Sequence, residues 1–285
     1  MNEFKEYHPA VSFIYFALII IFSMFFMHPI CLAFSFFGAF LYSVLLKRAK
    51  VILYTIPVSA FAAVLNPLFN HGGATILFYL GNGNPFTAES VYFGIAAAAM
   101  ISTAICWFSC FNAVIGQEKI IYLFGRIIPS MSLILSMSVR LVSEFKRKIK
   151  DISNAQKGLD MKKSRFKNTA AIFNALVNAS LEDAVETADS MTCRGYGLKG
   201  RTSYSNYIFT KRDAVLCVVF AALGVYIITG AVLGAMKYRY FPTMSGAAVT
   251  PYKASVFAAY FILCIIPVVI EITEVCRWKA IKSKI

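Results

Sequence analysis

SVYFGIAAAAMISTAICWFSCFNAVI, residues Ser90–Ile115, runs for 26 residues without one Asp, Glu, Lys or Arg. As an α-helix rising 1.5 Å per residue it would reach roughly 39 Å, more than the ~30 Å of hydrocarbon in a bilayer. A helix in a soluble core carries a polar face over such a length, and this one has none, so it reads as a membrane span. Five more uncharged apolar runs lie around it: Val11–Met27, Ile30–Leu46, Val51–Leu65, Ala214–Met236 and Ala254–Ile270. The whole composition agrees, with 59% of 285 residues hydrophobic and 15% charged, where a soluble domain has about 25% charged. The fold class expected is an all-α membrane protein of about six transmembrane helices.

The fourth and fifth spans are separated by residues 116–212, which hold 17 of the 28 Lys and Arg residues and are too charged for lipid. Basic residues collect on the cytoplasmic side of short membrane loops. With the first residue inside, 25 of the 28 fall on that side and only Lys237, Arg239 and Lys253 fall outside, so both termini are expected in the cytoplasm. Most of the net charge of +14 is thereby gathered on one membrane face, where anionic lipid headgroups rather than nucleic acid are its natural partner. The opening residues carry no basic patch and no small-residue cleavage site, so no removable signal peptide is expected. The organisation reads as N-terminal membrane helices over 1–115 with an outer loop at 66–88, a cytosolic region over 116–212, C-terminal membrane helices over 213–275 and a basic tail over 276–285.

Several functions are disfavoured by what the spans lack. Proton-coupled carriers and ion pumps keep ionisable residues near the bilayer centre, whereas Glu89, Asp213, Glu271 and Glu274 fall at span ends, where solvated side chains are expected. His8, His28 and His71 have no second ligand at helical spacing, so no metal site is expected. A Gly-rich phosphate loop is absent, and so is any Cys-x-x-Cys pair. The seven cysteines, Cys31, Cys106, Cys110, Cys193, Cys217, Cys264 and Cys276, read as reduced structural thiols. No catalytic residue is expected: the i, i+4 pair Cys106 and Cys110 has no charged neighbour to activate it. Gly195-Tyr196-Gly197 has the look of a channel filter, but it follows Arg194 in the basic segment and lacks the preceding Thr-Val. Small residues at 94–99 and at Gly230, Gly234 and Ala235 suit either close packing within the bundle or docking of another membrane protein.

In the outer loop, Ala74–Leu80 is a β-like run between two clusters of turn formers, Asn66–Gly73 and Gly81–Pro85, and is far too short to span. It reads as a hairpin-like or re-entrant element at the membrane surface.

The cytosolic region reads as two long amphipathic helices. From Pro129, the positions Met131, Leu135, Ser138, Val142, Phe145, Ile149, Ile152 and Leu159 form one face, with Arg140, Lys146, Arg147, Lys148 and Lys150 off it. A second helix presents Phe166, Ala170, Phe173, Val177, Leu181, Ala184, Ala188 and Met191 opposite Glu182, Asp183, Glu186 and Asp189. The first closes on Gln156-Lys157-Gly158 and the second on Cys193-Arg194-Gly195. A glycine after a cation is an ordinary helix end, but two such ends, 37 residues apart on helices with long apolar faces, suggest plugs for two similar grooves on a partner.

At these residues the chain resembles the transmembrane (T) component of energy-coupling factor (ECF) transporters, the cobalt/vitamin-type permease family among ABC transporters. That family carries paired Ala-Arg-Gly motifs at the ends of its coupling helices, matched here by Gln156-Lys157-Gly158 and Cys193-Arg194-Gly195. His28-Pro29, Asn66–Gly72, Phe124–Pro129 and Glu182–Gly197 extend the likeness over nearly the whole chain. Lys157 departs from the usual Arg, giving a point charge without a bidentate fork, and Cys193 departs from the usual Ala. The resemblance implies a non-catalytic scaffold in a bacterial plasma membrane. Two ABC-type ATPase subunits, which carry the ATP and Mg, would dock on those six residues, and this chain would bind no cofactor of its own. A small substrate-binding membrane subunit for a vitamin or a transition-metal ion would rest on Val142, Phe145, Ile149, Ile152, Phe173, Val177 and Leu181. The alternative is a self-contained secondary transporter of a small solute, which would show broken helices in repeated halves.

Overall fold

The computed structural model describes residues 3–70, 72–79, 85–125, 128–158, 165–198, 207–246 and 250–282. His71, residues 80–84, Arg126, Ile127, Leu159 and the side chain of Phe166 lie outside the described residues. The chain is all-α apart from two small hairpins and divides into two compact units, Met1–Lys119 with Tyr207–Ile285, and Ile120–Asn206.

The first unit holds the apolar helices α1 (Pro9–Phe25), α2 (Pro29–Leu45), α3 (Ala49–Phe69) and α4 (Ala88–Val114). It also holds the first turn of α5 (Gln117–Gly125), and later α8 (Lys211–Val232) and α9 (Pro251–Lys282). Four of these, α3, α4, α8 and α9, are long and apolar enough to cross a membrane, while α1 and α2 are apolar helices of 17 residues. Two histidines shape the start of this bundle. His8 and His28 each precede a proline at the first helical position and accept, through Nδ1, the amide N–H of Ala10 (3.2 Å) and Ile30 (3.3 Å). Proline suits that position because its missing N–H would have no partner there.

The bundle is centred on an aromatic core in which Tyr15, Phe16, Tyr42, Trp107, Phe220 and Tyr260 are fully buried. Trp107 donates its indole N–H to Ser35 Oγ (3.0 Å), so its one polar atom is satisfied. Helices meet where side chains are missing. A Cβ on Gly38 of α2 would stand 2.9 Å from Cys264 Cβ of α9, and one on Gly94 of α4 would stand 2.8 Å from the Ala63 carbonyl oxygen of α3. The Gly94 notch has a local cause: Pro67, four residues after Ala63, has no N–H to give that carbonyl. Asn66–Phe69, which the sequence reading assigned to a turn, are accordingly the last turn of α3.

Three of the four acids at the span ends, Glu89, Asp213 and Glu271, are buried rather than solvated, contrary to expectation, while Glu274 is half-buried beside Arg277. Glu89 (4% exposed) accepts Thr75 N–H (3.2 Å) and Oγ–H (2.6 Å), and Asp213 (3%) accepts Thr210 N–H (2.9 Å), Thr210 Oγ–H (2.7 Å) and His8 N–H (3.1 Å). Loop backbone near lipid has donors that water does not reach, and these carboxylates take them. Between α3 and α4, β1 (Ile76–Tyr79) pairs antiparallel with β2 (Pro85–Thr87), and β3 (Tyr238–Arg239) pairs with β4 (Ser245–Gly246) after α8.

Ahead of α1, the 3-10 turn Glu3–Lys5 inserts Phe4, which is fully buried and edge-on to Tyr15 (5.5 Å between ring centres). Lys119, 5% exposed in the first turn of α5, donates its ammonium to the carbonyl oxygens of Lys5 (2.5 Å) and Tyr7 (3.3 Å). Burial, and then the charge of Lys5, pushes its pKa down to about 8.

Candidate functional site

The second unit is built on α6 (Pro129–Gly158) and α7 (Arg165–Cys193), of 30 and 29 residues. The turn into α6 is tight: Ser132 Oγ–H reaches back to the Ile121 carbonyl (3.2 Å), and a Cβ on Gly125 would collide with that hydroxyl at 2.5 Å. Glycine is therefore the residue that lets α5 hand over to α6 here. Both long helices carry exposed apolar side chains along much of their length, among them Met131, Ile134, Leu141, Val142 and Ile149 on α6 and Phe173, Leu181 and Val185 on α7. Of the residues expected to meet a membrane partner, Val142 (55% exposed), Ile149, Phe173, Val177 and Leu181 are exposed, and Phe145 and Ile152 are half-buried. Leu176 is buried in the same unit.

The two helices are tied by an ion pair between Lys148 of α6 and Asp183 of α7. This is where the basic side of one arm meets the acidic half of the other. The pair stands nine residues before Lys157 and eleven before Arg194, so both ends project a similar distance beyond the tie.

The two ends are built differently, although their sequences are alike. At the close of α7, Gly195 has φ +77°, its N–H reaches the Thr192 carbonyl (3.0 Å), and the Tyr196 N–H reaches Met191 (3.0 Å). That pair of bonds is a Schellman cap, in which a left-handed residue satisfies the last carbonyls, and glycine adopts it without a Cβ penalty. Cys193 and Arg194 are exposed just ahead of it. At the other end, Gly158 is the last residue of α6, has no positive φ, and among the described residues nothing would lie within 4 Å of a Cβ there. Lys157 is exposed in the last turn, and Gln156 Oε1 is shielded with no hydrogen-bond partner among the described residues. Gly195 thus lies past its helix in a left-handed turn, and Gly158 lies within the last turn of its own.

The profile of the CbiQ cobalt transport protein family matches residues 5–204, well over half of the sequence. The chain belongs to the CbiQ cobalt transport family. None of the curated proteins compared with it matches. The family match takes in α1–α4 and both arms, whereas α8 and α9 lie beyond it. With its apolar helices, this makes the CbiQ-family chain a multi-pass membrane protein acting in transport. Among the described residues no group of three or more His, Cys, Asp or Glu side chains is placed to hold a metal ion.

The bundle-end contacts of this CbiQ member escaped the sequence reading. Lys119 looks in sequence like any basic residue of 116–212, and only its place one turn into a helix after a long span signals a snorkelling or tied lysine. Phe4 gave no periodic signal because it lies in a three-residue turn.

Proposed function

We propose that this chain is the membrane scaffold of an ECF-type ABC importer. It passes the work of two cytosolic ATPase subunits, which bind ATP and Mg, to a separate small membrane subunit that holds the cargo, a transition-metal ion such as cobalt or a vitamin. The observation that carries the reading is the tied pair of long arms, each ending in an exposed cation followed by glycine. Arg194 offers a planar fork to carboxylates or helix-end carbonyls in an ATPase groove, and Lys157 a single mobile charge. The arm surfaces around Val142–Ile152 and Phe173–Leu181 would bear the cargo subunit. Closure of the ATPase pair would displace the arm ends, and the arms would tip the cargo subunit against the membrane. The chain would lie in a bacterial plasma membrane with both ends in the cytoplasm, without catalytic groups or nucleic-acid contacts of its own.

The test is a detergent pull-down of the tagged chain, comparing the parent with a Lys157→Glu plus Arg194→Glu variant that inserts to the same level. Two ATPase chains should accompany the parent and be lost from the variant. If no ATPase accompanies the parent, the scaffold reading is wrong.

A further inference from the structure

The β1–β2 hairpin presents large apolar side chains to the outside on both of its faces. Ile76, Leu77, Phe78 and Tyr79 are 48%, 60%, 54% and 66% exposed, although successive residues of a strand point to opposite sides. Across the pair Phe78 stacks on Phe86, 4.6 Å between ring centres. Two-stranded hairpins are marginal in water and ordinarily bury one face; this one buries neither strand face of β1, and the surrounding sequence, 66–88, has no Asp, Glu, Lys or Arg at all.

Its position is nevertheless fixed by polar contacts at the base. Glu89 holds Thr75, the Thr87 hydroxyl donates to the Gly72 carbonyl (3.0 Å), and Ser90 Oγ–H reaches the Asn70 carbonyl (2.6 Å). The Ala74 N–H adds a bond to the Pro242 carbonyl (3.1 Å). Glycine suits the same place: Gly73 has φ +156°, which residues with a side chain rarely adopt, and a Cβ there would stand 2.6 Å from Glu89 Oε2. A half-buried polar latch therefore holds an apolar flap in a set place.

What covers the flap follows from the surface it continues. α3 leads into it with Phe61, Val64, Leu68 and Phe69 exposed along an apolar helix, the last at 80%, and α4 leaves it with Tyr92 exposed near its start. The exposed apolar surface of α3 thus runs on past the helix end into Phe69, Phe78 and the tyrosines Tyr79 and Tyr92, and tyrosine is a residue that gathers at the boundary of a bilayer. We propose that the β1–β2 hairpin is a membrane-interface anchor, lying between headgroups and acyl chains of the leaflet at the α3–α4 turn, with the lipid surface itself as its ligand. This inference is independent of the scaffold reading, since it needs only the chain and a bilayer.

The test places one nitroxide at a time on the full chain, in a background with Cys193, Cys217 and Cys276 replaced by Ser, reconstituted alone in lipid nanodiscs. Labels go on Leu77→Cys and, as a second reporter on the same face, Tyr79→Cys, with Lys157→Cys as the aqueous reference. Collision rates with oxygen, which concentrates in lipid, are compared with those of a water-soluble nickel chelate. An anchor sunk at the headgroup boundary should raise the oxygen-to-nickel ratio at positions 77 and 79 about fivefold over position 157. A ratio less than about threefold above the reference would overturn the proposal. So would nickel protection that appears only when another membrane protein is added, which would make the hairpin a protein-docking surface instead.

Discussion

Nitroxides at positions 157 and 193 would report how the two arm ends are spaced, and the spacing follows from the Lys148–Asp183 tie. Lys157 lies nine residues beyond the tie and Cys193 ten, about 13.5 and 15 Å of helix at 1.5 Å per residue. On the inner side, Gly158 lies ten residues past the tie and Arg165 eighteen before it, about 15 and 27 Å along their axes. Residues 159–164 join them, and seven steps of chain span no more than about 25 Å. With packed axes about 9 Å apart, that reach requires the helix directions to differ by roughly 120° or more. The labelled positions then stand about 26–30 Å apart from axis to axis, with label linkers broadening the distribution. The perturbation is Lys148→Glu, which replaces a partly exposed ion pair by two carboxylates and shifts the tied state by about 1 kcal/mol, roughly fivefold in population. Double electron–electron resonance on Lys157→Cys with native Cys193, in a background lacking Cys217 and Cys276, should give a single distance in the parent and a broadened one in Lys148→Glu. Narrowing should return when Asp183→Lys is added. A parent mean near 17 Å, the value of a roughly 60° crossing, would refute the geometry, and an unchanged width in Lys148→Glu would refute the role of the ion pair.

Three further outcomes are expected. Gly94→Leu forces a side chain into the Ala63 carbonyl and should lower the unfolding midpoint in detergent, with a cost of about 1–3 kcal/mol from overpacking; a midpoint equal to the parent's would show that α3 and α4 separate there without cost. Gly195→Ala places a Cβ at φ +77° and should cost about 1 kcal/mol and speed amide exchange at Thr192–Tyr196, whereas Gly158→Ala should leave exchange at its own end unchanged or slower. Equal responses at the two glycines would mean that the ends are built alike after all. For Lys119, the pKa in the fold is lower than the ordinary 10.5, so the unfolded chain binds more protons between pH 8 and 10.5 and stability should rise with pH across that window. Thermal melts of Lys119→Met should lack this rise, and a rise retained in that variant would assign it to another group.

The membrane helices were legible because a bilayer imposes a length and an absence of charge that show directly in residues such as Ser90–Ile115. The two amphipathic helices were legible from periodicity, and their observed limits, Pro129–Gly158 and Arg165–Cys193, follow the apolar pattern closely. The last turn of α3 was not, since Asn66-Pro67 is ordinarily a turn signal, and only a tertiary neighbour, Gly94, makes room for the carbonyl that Pro67 leaves bare. The buried acids were misread for a related reason. A carboxylate at a span end is solvated unless nearby N–H groups turn onto it: for Asp213 the Thr210-x-x-Asp213 capping box was a readable signal that was missed, whereas the loop geometry that brings Thr75 onto Glu89 has no signature in composition. At the arm ends the sequence showed two similar motifs but not that Gly195 takes a left-handed φ while Gly158 stays in the last turn of its helix, because glycine is compatible with both conformations.

The near contact of Gly38 with Cys264 has a consequence for biogenesis. α9 is synthesised more than 200 residues after α2, with the whole arm unit made in between. Throughout that interval the bare groove of α2 faces lipid, or whatever else is at hand, with no native helix to fill it. Pairings of such large sequence separation form late and leave the nascent bundle exposed to wrong partners. A translational pause before residue 251, or slow insertion of α9, would thus harm this protein more than the same delay at α3, and an insertase that shelters α2 would matter most for its yield.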